Sequence, residues 1–418
     1  MLNSDNWDQG IMSWHNSTLG ELAKRDGGLI QTGPFGSQLH QAEYETEGIP
    51  VVMPKDITDG RISAESVARV SEQTATRLQR HKLKPRSIVL PRRGEITKRA
   101  YIREDQEGWL CGTGCLKIEI YGRHLVPEYL YYFLEQEHVT KWLLQHAVGT
   151  TMLNLSAAIV SGVPIRYPST NAQQAIAETL ATYDNLIENN CRRMALLEES
   201  ARLHYREWFV RLRFPGYEHT PIVDGIPQGW ERVPMPAAIE INPKIKLSDD
   251  DEHWFVEMAN LPTDSMVIHG ATMRDGRSGP KFQNRDTLLA RITPCLENGK
   301  TGFVDFMADG EAGRGSTEFI VLRSKRVTPE FVYCLARTYE FRGNAIKSMV
   351  GSSGRQRVQE SCFDKFMVNV PPASLIRLFS EFTEPAFEQI TNLASQNQKL
   401  RTARDLLLPR LMSGELAV

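Results

Sequence analysis

LVPEYLYYFL (residues 125–134) returns 202 positions later as VTPEFVYCLA (residues 327–336), with Pro127 answered by Pro329. At the same spacing AVGTT (147–151) returns as MVGSS (349–353), Gly149 answered by Gly351. Working outward, IVLPRRGEITKRAYI (88–102) aligns with TLLARITPCLENGKTGFV (287–304), whose loop is longer by three residues. Downstream, GVPIRYP (162–168) answers NVPPASL (369–375), and each leads into a long helical pattern. Matches that keep their order and spacing mark a duplication, so one α/β unit is predicted to be used twice.

The helical patterns supply the other half of the architecture. After YPST, Thr170 and Gln173 have the spacing of a capping box, and no Gly or Pro follows until Pro215. Ile176, Leu180, Tyr183, Ile187, Asn190, Met194, Leu197, Ala201, His204 and Trp208 alternate steps of four and three, which is a heptad seam. Roughly 40 residues at 1.5 Å each make a rod of about 60 Å. Ala386, Ile390, Leu393, Asn397, Leu400, Arg404, Leu407 and Leu411 repeat the alternation, with Pro385 expected to start or kink that second helix.

Asn190 and Asn397 interrupt these seams. Either they meet and fix the register of an intramolecular coiled coil, or each faces solvent. The expected layout is a domain over 1–168, a helix over 169–213, a domain over 214–372 and a helix over 373–418. Two antiparallel helices would then separate two mixed α/β domains about an approximate two-fold axis.

Composition leaves the class open and narrows the setting. The chain has 418 residues, 41% of them hydrophobic, enough for two or three domains with real cores. No apolar run approaches the roughly 18 residues of a membrane span, and the polar start MLNSDNWDQG lacks a signal pattern, so a cytoplasmic setting without membrane contact is expected. Six scattered cysteines in so long a chain argue against a disulfide framework. Net charge is −2, yet residues 77–103 carry ten Lys or Arg against the single acid Glu95.

Catalytic readings do not close. Gly299, Lys300 and Thr301 end like a Walker A loop, but the glycine required four residues before the Gly-Lys pair is Pro294, which has no N–H to offer a phosphate. Cys111 and Cys115 have no second ligand pair to complete a metal site. GGLIQTGPFGSQLH (27–40) has no dinucleotide-fingerprint spacing, and NVPPA (369–373) reads as a strand exit into a helix. No acid, base and nucleophile assemble.

What remains is cationic and hydrogen-bonding capacity on two matched hairpins. Lys and Arg neutralise phosphates, while Arg, Asn and Gln make bidentate contacts to base edges. In the first repeat the candidates are Lys82, Lys84, Arg86, Arg92, Arg93, Lys98 and Arg99, with Thr150, Thr151 and Asn154 in the loop after Gly149. In the second they are Arg291, Asn298, Lys300 and Thr301, with Ser352, Ser353, Arg355, Gln356 and Arg357 after Gly351. The plainer reading, solvated surface loops, stays open for any single residue.

Taken together, GPFGSQL, LPRRGEITKRAYI, GWLCGTGCLKI, PEYLYYFL, LLARITPCLENGKTGFV and the terminal ARDLLLPRLMSGEL resemble recurrent stretches of the DNA-specificity (S) subunits of type I restriction-modification enzymes. The resemblance covers nearly the whole chain. It implies two target-recognition domains, each reading one half of a bipartite asymmetric target in double-stranded DNA, held apart by two antiparallel helices. It also implies two modification (methyltransferase) subunits bound around this chain, with restriction subunits joining through them. The S subunit is non-catalytic and binds no cofactor in that scheme; S-adenosylmethionine serves the modification subunit, and ATP with Mg2+ the restriction subunit.

Pairing of the helices would rest on Ile176, Leu180, Ile187, Asn190, Met194 and Leu197 against Ile390, Leu393, Asn397, Leu400 and Leu407. Arg401 and Arg404 on or near the seam depart from the expected pattern and suggest packing against a partner subunit. The alternatives are a coiled-coil adaptor or a stand-alone DNA-binding protein.

Overall fold

The computed structural model describes residues 13–64, 67–149, 152–248, 251–276, 278–352 and 354–417. The chain divides into two compact units, residues 1–185 with 400–418 and residues 186–399. Each unit holds part of both long helices, Thr170–Tyr205 and Ala373–Ser413.

Both units use one plan. In the first, a four-stranded sheet runs in the order Leu29–Thr32, Cys115–Glu119, Ile88–Pro91, Ala100–Tyr101. Its counterpart in the second runs Ile239–Ile241, Phe319–Ser324, Thr287–Ala290, Thr301–Phe303. A second sheet in each unit contains one parallel pair, Leu110–Cys111 with Ile49–Val52 and Ala312–Gly315 with His253–Val256. A two-stranded antiparallel ribbon completes each unit, His15–Thr18 with Pro164–Tyr167 and Glu231–Pro234 with Met367–Val370.

Continuous apolar runs at the strand centres follow from burial on both faces. Ile88, Leu90, Leu116 and Ile118 enter one core while Val89, Ala100 and Cys115 enter another, as the period of two requires. Likewise Leu289, Ile320 and Leu322 feed one core of the second unit, and Leu288, Ala290, Phe319 and Val321 the other. The Pro-Glu pairs open helices Pro127–Phe133 and Pro329–Ala336, with proline in the first turn where its missing N–H costs nothing. Cys111, Cys115 and Cys334 are buried free thiols, and burial pushes Cys111 up to about 12.

The long helices pair inside each unit. In the first, Ile176, Ala177 and Leu180 share a core with Leu408, Leu411 and Met412, and half-buried Leu407 packs against it. In the second, Asn190 Nδ2 donates to Asn397 Oδ1 at 2.9 Å, while Tyr205 packs on Phe379 with ring centroids 6.3 Å apart, so the helices run antiparallel there. Ile187, Leu393 and Ile390 are buried, and half-buried Met194 and Leu197 pack on the core; Leu400 is half-buried.

Three expectations need correction. The second helix continues through Pro385 from Ala373 to Ser413. The proline removes one N–H donor, and the buried stripe of Phe379, Thr383, Ala386 and Phe387 offsets that loss by packing. The cap of the first helix lies at Ser169, whose Oγ accepts from Ala172 N at 3.5 Å. Gln173 turns inward instead, accepting from Val126 N at 2.8 Å and donating to the His124 and Pro168 carbonyls. Arg404, finally, pairs with Asp184 at 2.5 Å and with Glu135 inside its own unit, so its place on the seam needs no partner subunit. Beyond Tyr205 the first helix widens into a π turn, Arg206–Val210, that seats Phe209 in the core.

Candidate nucleic-acid interface

In the first unit the strand Ile88–Pro91 ends against its neighbour and hands the chain to the hairpin. Arg92 N donates to Gly114 O at 2.8 Å, and Leu155 N donates to Arg92 O at 2.8 Å. Bridges join Arg93 to Asn154 and Val148 to Asn154, so the loop after Gly149 is clamped onto the base of the hairpin. The second unit repeats the arrangement: Arg291 N donates to Glu318 O, Val358 N donates to Arg291 O, and bridges join Ile292 to Arg357 and Val350 to Arg357. Arg92 and Arg291 therefore occupy equivalent places, as the alignment of 88–102 with 287–304 expects, since the second hairpin is lengthened only beyond them.

Their side chains differ. Arg92 is 9% exposed, its Nε donates to Asn154 Oδ1 at 3.4 Å, and its guanidinium lies 5.5 Å from the centre of the Phe35 ring. Burial first, then the neighbouring Arg93 charge, lowers its pKa from the usual arginine range. Among the described residues neither Arg92 nor exposed Arg93 has an acidic partner. Around them stand exposed apolar groups, Phe35, Val148 and Met152. Arg291, in contrast, donates to Glu360 Oε1 at 2.9 Å and to the Val358 carbonyl.

Most of the other cations in the positive stretch are committed within the fold. Lys84 meets Glu119 and Tyr121, Arg86 forks onto Glu128 through two 2.8 Å bonds, Lys98 pairs with Glu95, and Arg99 pairs with Glu135 over the Tyr131 ring. Half-buried Lys82 has no acidic partner among the described residues. The long separation of most of these acids from their cations in sequence is why the local excess overstated the free charge. The two-pronged fork of Arg86 onto Glu128, a carboxylate that also accepts from Tyr101 Oη, holds that guanidinium within the fold more firmly than a lone exposed contact would.

In the second unit Lys300 Nζ donates to the Met258 carbonyl at 2.7 Å and Thr301 is buried in its strand, so the Gly-Lys-Thr run faces its own fold. Arg357 forks onto Glu318 at 2.6–3.0 Å. Asn298, Ser352 and Arg355 are exposed, and the carbonyl of half-buried Gln356 accepts from Thr293 N while Gln356 N donates to Thr293 Oγ1, each at 3.0 Å. Thr150, Thr151 and Ser353 lie outside the described residues.

Sequence reasoning missed Phe35, Val148, Met152 and Val350 as exposed apolar groups at the hairpin bases; the Pro-Phe-Gly context of Phe35 was the available signal. Among the described residues no cluster of three or more His, Cys, Asp or Glu is arranged to hold a metal ion. No described helix is long and apolar enough to cross a membrane.

The chain is similar to several known proteins. Residues 12–199 match the type I restriction modification DNA specificity domain. The type I restriction enzyme MjaIX specificity subunit of Methanocaldococcus jannaschii is 25% identical over 311 residues, covering 70% of this chain and 70% of that protein. The EcoAI specificity subunit of Escherichia coli is 30% identical over 207 residues, covering 46% of this chain and 35% of that protein. The crystal structure of a type I restriction-modification S subunit from M. genitalium matches with a TM-score of 0.57 at 15% identity over 97% of each chain, which speaks to the fold alone.

Proposed function

This chain is a DNA-specificity subunit of the type I restriction-modification family, and from that premise we propose that its two units each read one half of a split, asymmetric DNA target. The observation that carries the proposal is the twice-built clamp of hairpin and return loop, one centred on Arg92 and the other on Arg291, with unlike side chains on the same frame. Equal frames with unequal side chains suit unequal half-sites. Half-sites on one DNA face lie about one helical turn, roughly 34 to 36 Å, apart.

The reading divides the labour. This chain supplies recognition, while methyl transfer with S-adenosylmethionine belongs to two modification subunits bound around it. Cleavage, with ATP and Mg2+, belongs to restriction subunits that join through those. Each half-site discriminates at about 1 to 3 kcal/mol per base pair, and linking two halves multiplies the discrimination. A cytoplasmic setting follows from a substrate that is the cell's own and incoming DNA.

The test is selection of duplexes from a random pool by the full chain with its modification subunits. The reading expects enriched duplexes to share two unlike short elements at a fixed spacing. Enrichment of one contiguous element, or no sequence selection, contradicts it.

A further inference from the structure

The second unit contains a cavity of about 470 Å³ whose wall holds five arginines, Arg202, Arg206, Arg211, Arg337 and Arg342, against a single lining acid, Glu340. Three of the five are partly occupied: Arg202 stands 3.6 Å from Glu199, Arg211 pairs with Glu207 at 2.5 Å, and Arg337 Nη1 donates to the Gly299 carbonyl at 3.1 Å. Arg206 and Arg342 have no acidic partner among the described residues. Gly299 takes φ +79°, and a Cβ there would come within 2.5 Å of Arg342 Nη1, so the bare glycine makes room for that guanidinium. The last turns of the central helix with the π turn after it, and the junction between helices Pro329–Ala336 and Tyr339–Lys347, thus bring cations from distant parts of the sequence to one concave surface.

The shared frame does not require them. Matching helix Glu137–His146 to Tyr339–Lys347, and the long helices from their starts at Thr170 and Ala373, the first unit places Glu135 where the second has Arg337, Thr140 for Arg342, Asp405 for Arg202 and Pro409 for Arg206. There Glu135 and Asp405 both pair with Arg404, so the equivalent surface is held by mixed charge. Converging like charges repel one another unless an anion enters, and planar guanidinium forks match the oxygens of a phosphate.

We infer that this arginine-lined cavity is a phosphate-binding site of the second unit, taking either a backbone phosphate of DNA or the phosphate group of a free small molecule. The cavity goes beyond the two hairpin clamps, and only its DNA arm rests on the recognition reading above.

The experiment compares wild-type full chain with Arg206→Ser and with Arg206→Ser/Arg342→Ser, in two readouts. Titration calorimetry with inorganic pyrophosphate should show binding to wild type, weakened at least about tenfold in the double variant. The salt slope of duplex binding should fall by about 0.9 for each DNA phosphate that a variant no longer neutralises. A reduced slope assigns the site to DNA; pyrophosphate binding with an unchanged slope assigns it to a free phosphate. Arg206 is exposed, so its single variant retains the fold and keeps the test valid if the double variant does not. The proposal is overturned if wild type binds no pyrophosphate and neither variant alters the slope, or if a glutamate-rich peptide alone binds in an Arg206-dependent way. A wild-type chain that bound pyrophosphate but no duplex would contradict the recognition reading while supporting the site.

Discussion

Asn190 Nδ2 donates to Asn397 Oδ1 at 2.9 Å across the antiparallel helices of the second unit, and Asn397 Nδ2 turns to the Ile187 carbonyl at 3.4 Å. Both side chains are buried, so each is the other's replacement for water. Replacing one leaves a buried polar group unpaired, at a cost of about 1–3 kcal/mol, whereas replacing both with leucine removes the need. Urea denaturation of Asn190→Leu, Asn397→Leu and the double variant should therefore show strong non-additivity, the double variant being at least as stable as either single one. Additive losses would mean that the pair is not coupled.

Arg404 plays a different part in the first unit. It pairs with Asp184, which also accepts from Tyr132 Oη at 2.7 Å, so one carboxylate joins both helices to the recognition domain. Arg404→Ala should cost about 2 kcal/mol in thermal or urea unfolding, because the charge of Asp184 is left with fewer partners. The same change should leave the Asn190–Asn397 coupling energy untouched. A loss under about 0.5 kcal/mol would indicate that the pair is merely a surface interaction.

At the hairpin bases, free and committed cations should separate cleanly. Arg92→Ala/Arg93→Ala should lower the slope of log affinity against log salt by about 1.8, two phosphates at about 0.9 each. Arg86→Ala should move it little, since Glu128 already holds that guanidinium. Equal slopes for wild type and the Arg92/Arg93 variant, measured by fluorescence anisotropy on one duplex, would place the DNA on another surface.

Acidity enters through Asp305, which accepts from Thr391 Oγ1 at 2.5 Å and whose carboxyl burial pushes up to about 6. A raised carboxyl pKa means that the folded state holds the proton longer than the unfolded one. This contribution is therefore fully present below about pH 4, declines as pH rises to about 6, and is flat above. Asp305→Asn should be nearly neutral at pH 4 and stabilising by up to about 3 kcal/mol at pH 7 in unfolding experiments. The opposite order, with stabilisation at pH 4 alone, would contradict the assigned environment.

The duplicated frame was legible because it rests on local signals: the Pro-Glu helix starts at 127 and 329, the glycines at 149 and 351, and strands buried on both faces. The heptad steps also located the helices, whose ends depended on packing. Pro385 continues a helix because Phe379 and Phe387 bury beside it, and Ser169 takes the cap because Gln173 has better partners in the domain. Electrostatics were the least legible part. Glu119, Glu128 and Glu135 reach back to Lys84, Arg86 and Arg99, and only the fold brings those acids there. For the same reason the arginine-lined cavity, whose members come from residues 202–211 and 337–342, left no mark in any single stretch of sequence.

The central claim, that each unit reads its own half of a split target, is tested most directly by methylome sequencing. Cells would express this chain with its modification subunits, beside a chain whose residues 13–168 are replaced by the corresponding domain of another family member. The account predicts a methylated motif of two unlike halves at a fixed spacing, with the replacement changing one half and leaving the other intact. A single contiguous motif, or a replacement that alters both halves together, would contradict it.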